Sequence, residues 1–96
     1  MPALDPDATL RLVGRRVAQH RHRRGWTQEV LAERLGLSTK YLQRVEWGRQ
    51  NLSLRSLATI ASALGCRPFD LLRPMRSIVP VRPGRPRASK RSTTRR

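Results

Sequence analysis

The stretch from Thr27 to Gly48 reads TQEVLAERLGLSTKYLQRVEWG, and its spacing decides the fold. Leu31, Ala32 and Leu35 fall on one face of a helix that Thr27 caps and Gly36 stops. Leu42 and Val45, three residues apart, begin the buried side of a second helix that Ser38 caps. Gly36-Leu37-Ser38 joins the two by a tight turn, where glycine reaches positive φ without steric cost. Leu37 is expected to insert into the core from this turn. Ala32 is small where the two helices must cross closely.

The second of these helices carries another stripe. Thr39, Lys40, Gln43, Arg44 and Trp47 fall at i, i+1, i+4, i+5 and i+8, opposite Leu42 and Val45. Solvated helix faces normally mix Glu with Lys at spacing four, but here Glu46 is the only acid and lies off the stripe. An acid-free row of donors suits the base edges of the DNA major groove. We read it as a reading face rather than a merely solvated one.

Outward from this pair the chain remains helical. Asp5-Pro6 supplies a cap and a first helical position, and a stripe of Leu10, Val13 and Val17 runs towards Arg24, closed by Gly25. Ser53 caps a fourth helix with Leu54, Leu57, Ala58, Ala61 and Leu64 in register, stopped by Gly65. Pro68 opens a short fifth helix, Phe69 to Leu72, ended by Arg73-Pro74. No window alternates at period two. The expected fold is all-α, a five-helix DNA-binding domain with a disordered basic C-terminal tail.

Charge agrees with that expectation. The 96 residues carry 21 Lys and Arg against six Asp and Glu, a formal net charge of +15. Nineteen of the basic residues are Arg, the side chain suited to bidentate contact with phosphate and guanine. Residues 1–72 are net +6, whereas residues 73–96 carry nine basic side chains and no acid. The latter segment is rich in Pro, Ser and Thr and too poor in large apolar residues to bury a core. We therefore divide the chain into an N-terminal arm (1–8), a DNA-binding domain (9–72) and a basic tail (73–96).

Several classes are excluded. No Ser/His/Asp set, carboxylate pair or phosphate-cradling glycine loop points to an enzyme. Cys66, the single cysteine, rules out an internal disulfide and a multi-thiolate zinc site, and reads as a small buried apolar residue. His20 and His22, two apart, do not share a helix face, so no metal and no cofactor are expected. Without a membrane-length apolar run or a signal peptide, the expected location is the cytoplasm, at the nucleoid.

The combination of Arg21, Gly25, Thr27-Gln28, Leu31-Ala32, Leu35-Gly36-Leu37-Ser38, Tyr41-Leu42, Val45-Glu46, Gly48 and Leu57, Ala61, Leu64-Gly65 resembles the lambda-repressor-like helix-turn-helix domain, the XRE or Cro/repressor family. The resemblance spans residues 10–72 and implies a five-helix fold whose third helix enters the major groove. His20 stands where the family is usually apolar, and Val30 where it is usually polar. The resemblance places Thr39, Lys40 and Arg44 at base-reading positions, with Gln43 beside them. It places Gln28 where the family contacts a phosphate and orients the reading helix. Ser38, Tyr41 and Trp47, followed by Arg49, Gln50 and Asn51 in a loop, are the remaining backbone contacts. Tyr41 is equally a core residue, Trp47 equally a half-buried one, and Asn51 equally a turn residue. Arg21 and Glu46 match the family's structural ion pair.

In the tail, Arg82-Pro83-Gly84-Arg85-Pro86-Arg87 resembles the AT-hook, a Gly-Arg-Pro core that lies in narrow minor grooves. Pro83 stands where that pattern has Arg. A generic polycationic tail is the preferred reading of Arg82, Gly84, Arg85, Pro86 and Arg87, because charge alone supplies non-specific affinity.

The leading expectation is a sequence-specific transcriptional regulator of bacterial XRE type that binds double-stranded DNA. An architectural nucleoid protein and an antitoxin-type interaction protein are the alternatives. A homodimer through the fourth and fifth helices is expected, with Leu52, Ile60, Phe69, Leu72 and the Met75 to Val81 segment as candidate contacts, and no small-molecule effector domain.

Overall fold

The computed structural model describes residues 5–74. They form five α-helices, α1 (Pro6–Arg23), α2 (Gln28–Leu35), α3 (Thr39–Glu46), α4 (Leu54–Leu64) and α5 (Pro68–Leu72), with no strand among the described residues. The segment proposed as an AT-hook, Arg82 to Arg87, lies outside the described residues, as do the Met75 to Val81 segment and residues 1–4.

Each helix starts where a side chain satisfies a free backbone N–H. The Asp5 carboxylate accepts from Asp7 N–H at 3.1 Å, and Pro6 takes the first helical position. Thr27, Ser38 and Ser53 accept from Val30, Tyr41 and Ser56 at 3.1, 3.0 and 3.0 Å. Each such cap contributes about 1 kcal/mol. At α5, which lacks a hydroxyl cap, the Asp70 carboxylate turns back to accept from Arg67 N–H at 2.9 Å. Helix α1 opens at Pro6, so it begins within the segment 1–8 set apart as an arm.

The α2–α3 turn closes on Gly36, at φ 70°, which lets Leu37 N–H reach the Ala32 carbonyl at 2.9 Å. The expected insertion of Leu37 into the core does not occur, and its side chain is exposed. Leu31 and Leu42, both fully buried, already occupy the space where the two helices meet.

Helix α1 is the central element and packs against α3, α4 and α5, while α2 packs on α3 and α4. The core consists of Val13, Val17, Leu31, Ala32, Leu42, Val45, Leu57, Ile60, Ala61, Leu64 and Leu71. Two sequence expectations for α4 need correction. Leu54 is 83% exposed and Ala58 is also outside, whereas Ile60 is 1% exposed and fully in the core. The buried face runs Leu57, Ile60, Ala61, Leu64, at spacings of three, one and three. Leu54 stands on the first turn, before that stretch begins. Cys66 is half-buried against the core rather than fully inside.

Candidate nucleic-acid interface

Helix α3 is set in place by its contact with α1. At Gly14, on the buried side of α1, an added Cβ would meet the backbone carbonyl oxygens of Val45 and Glu46. The two backbones therefore touch directly, and the last turn of α3 has no room to slide. Just beyond α3, Gly48 has φ 74°, and a Cβ there would lie 2.7 Å from Arg11 Cα. Neither close approach was anticipated from sequence, although a glycine on the apolar stripe of α1 is the pattern that signals one.

A buried ion pair locks the same crossing. Arg21 on α1 donates through Nε to Glu46 Oε2 at 2.7 Å and through its terminal nitrogen to Oε1 at 3.1 Å. Its remaining terminal nitrogen donates to the Trp26 carbonyl at 2.8 Å. Removing one partner of such a pair costs about 3–5 kcal/mol, because the other charge is left buried and unmatched.

Glu46 also reaches α2. Gln28 Nε2 donates to Glu46 Oε1 at 2.9 Å, and Gln43 Nε2 donates to Gln28 Oε1 at 3.4 Å. A polar chain thus links α1, α2 and α3 through Arg21, Glu46, Gln28 and Gln43. Gln28 keeps a second N–H beyond the one given to Glu46.

On the outer stripe of α3, Lys40 is exposed, and Thr39, Gln43 and Arg44 are half-buried. Arg44 Nε donates to Gln50 Oε1 at 3.0 Å, and its guanidinium lies 5.9 Å from the centre of the Tyr41 ring. Tyr41 itself packs against the core. The Ser38 hydroxyl is used in capping α3. Trp47 is 59% exposed at the end of the stripe, beside exposed Arg49 and Asn51, so its indole is free of the core. Thr39, Lys40, Gln43 and Arg44 thus share one helix face, which Arg44 ties to the following loop through Gln50.

Trp26, not singled out from sequence, stands just before the cap of α2. Its ring packs against the core, with the guanidinium groups of Arg34 and Arg24 at 4.2 and 5.3 Å from the ring centre. An apolar residue immediately before a helix cap was the available signal.

A family model described as a helix-turn-helix domain matches residues 12–75. An uncharacterized HTH-type transcriptional regulator, y4dJ of Sinorhizobium fredii, is 39% identical over 64 residues, covering 67% of this chain and 83% of that protein. Control protein C.BamHI of Bacillus amyloliquefaciens is 39% identical over 62 residues, covering 64% of this chain and 76% of its own. Among solved structures, the restriction-modification controller protein C.AhdI from Aeromonas hydrophila superposes with a TM-score of 0.63 at 38% identity, over 67% of this chain and 97% of that one. The chain belongs to the helix-turn-helix family, in its XRE-like branch, and is a sequence-specific DNA-binding transcriptional regulator. No helix among the described residues is long and apolar enough to cross a membrane.

Proposed function

We propose that this regulator inserts α3 into the major groove and reads base edges with Thr39, Lys40, Gln43 and Arg44. One observation carries the reading: the outer face of α3 holds no acid, while its single carboxylate, Glu46, is turned inward onto Arg21. No carboxylate on that face therefore repels the base-edge acceptors, and Lys40 and Arg44 offer them charged donors. Gln28, Ser38, Tyr41, Trp47, Arg49 and Asn51 flank the groove, where phosphate contacts fix register without reading sequence. Working on chromosomal DNA in the cytoplasm, the protein binds as a homodimer through α4 and α5. Phe69, 72% exposed on α5, is the main apolar candidate, with Leu72 beside it and Leu52 half-buried. Ile60 is closed within the monomer and plays no part.

Selection from a random DNA pool tests both statements. The bound sequences should show two related half-sites about one helical turn, ~34 Å, apart. An unrepeated site would remove the dimer. Arg44→Ala and Lys40→Ala should each weaken binding to the selected site by about 1–3 kcal/mol and leave random DNA nearly unaffected. Equal losses on both would remove the base-reading assignment.

A further inference from the structure

Arg44 is held by a neighbour that does not belong to α3. Gln50, in the loop between α3 and α4, accepts the Arg44 Nε–H through Oε1 at 3.0 Å. The nitrogen end of the same amide donates to the Asn51 backbone carbonyl at 3.2 Å. That second bond fixes which end of the amide faces Arg44, since an oxygen must point at the guanidinium and an N–H at the carbonyl. The guanidinium is steadied further by the Tyr41 ring. Of the five N–H donors of Arg44, the one on Nε is thus committed inside the protein, and the four on the two terminal nitrogens remain for the groove.

We infer that Gln50 is a specificity-determining positioning residue, which orients Arg44 so that its two terminal nitrogens face a single base edge together. A long arginine side chain that is free in solution must be ordered when it binds, and that ordering weakens the contact. Here the ordering exists before DNA arrives. With Nε occupied, the bidentate contact must be end-on, through both terminal nitrogens, which matches the paired N7 and O6 acceptors of guanine. Gln50, expected from sequence to contact the DNA backbone, has in this inference a role through Arg44 instead, since its amide is spent on Arg44 and the Asn51 carbonyl. The inference rests on Arg44 being a base reader, as proposed above.

A double-mutant cycle on the full chain tests it. The selected operator is compared with one changed at the position where Arg44→Ala alters preference, and with random DNA. Gln50→Ala and the size-matched Gln50→Met, which lacks the acceptor, should each reduce discrimination at that base about tenfold. Random-DNA affinity and the thermal unfolding midpoint should not change, and neither variant should have any further effect in the Arg44→Ala background. Loss on all DNA alike would make Gln50 a phosphate contact and overturn the inference, as would additivity with Arg44→Ala or retained discrimination in Gln50→Met. If Arg44→Ala leaves discrimination unchanged at every position, the reading of Arg44 itself fails, and this is seen before Gln50 is altered.

Discussion

Alanine is the better helix former, so replacing a helix-interior glycine would ordinarily stabilise α1 by up to about 1 kcal/mol. At Gly14 the opposite is expected, because the new methyl would meet two backbone carbonyl oxygens rather than a flexible side chain. Overpacking of this kind costs about 1–3 kcal/mol. Gly14→Ala should therefore lower the thermal midpoint, by about 4–8 °C per kcal/mol lost in a domain of this size. A raised midpoint would show that α1 and α3 can separate freely. At this scale the sequence was legible unevenly. Thr27, Ser38 and Ser53 were identifiable as caps because a cap is a local event, one hydroxyl serving an N–H three residues on. The bonds from Gln28 to Glu46 and from Arg44 to Gln50 were not legible, since they depend on rotamers chosen after the helices dock.

Where α1 meets α5, the packing includes a histidine in a place the family usually fills with an apolar side chain. The Nε2 atom of His20 is buried and has no hydrogen-bond partner among the described residues. Burial lowers its pKa below the ordinary value of about 6.5, as do the charges of Arg16, Arg23 and Arg24, while Asp70 on α5 opposes them. The unfolded chain thus takes up a proton at a higher pH than the folded one does. Stability contributed by neutral His20 is complete above about pH 6.5 and declines as pH falls through the folded value. Thermal midpoints measured from pH 7.5 to 5 should fall, and His20→Leu should flatten that decline. An unchanged slope in His20→Leu would clear His20 of the effect. Helix boundaries and order were readable from caps and breakers, whereas the phase of α4 was not. Leu54, Leu57, Ala58, Ala61 and Leu64 are all apolar or small, and only the neighbours of α4 decide that Ile60 turns inward and Leu54 outward.

For the molecule as a whole, charge is divided between a folded domain that can read sequence and a segment, residues 73–96, that holds nine basic side chains and no acid. We expect these charges to act as a locally concentrated polycation beside the domain. Each phosphate contact contributes about −0.9 to the slope of log K against log salt. Deleting residues 75–96 should flatten that slope by several units and weaken binding to all DNA, while the order of preference among operators survives. If deletion abolished preference and Arg44→Ala left it intact, the protein would be an architectural one. Arg85→Ala separates the two readings of the tail: a greater loss on A·T-flanked sites identifies a minor-groove hook, and a loss indifferent to flanks a generic polycation.

The bare contact at Gly14 makes α3 an exchangeable module. Its seat on α1 is formed by main chain, by Leu42 and Val45 and by the Arg21–Glu46 pair, none of which faces outward. On the proposed reading, Thr39, Lys40 and Arg44 can be rewritten to address a different operator without disturbing that seat, whereas Gln43 is tied to it through Gln28 and Glu46. A transplant limited to Thr39, Lys40, Gln43 and Arg44 should nevertheless perform poorly, because the partners of Gln43 and Arg44 lie elsewhere, at Gln28 and Gln50. On the proposed reading the portable unit is six residues drawn from α2, α3 and the following loop, and a recoded regulator that carries all six should inherit the donor's preference.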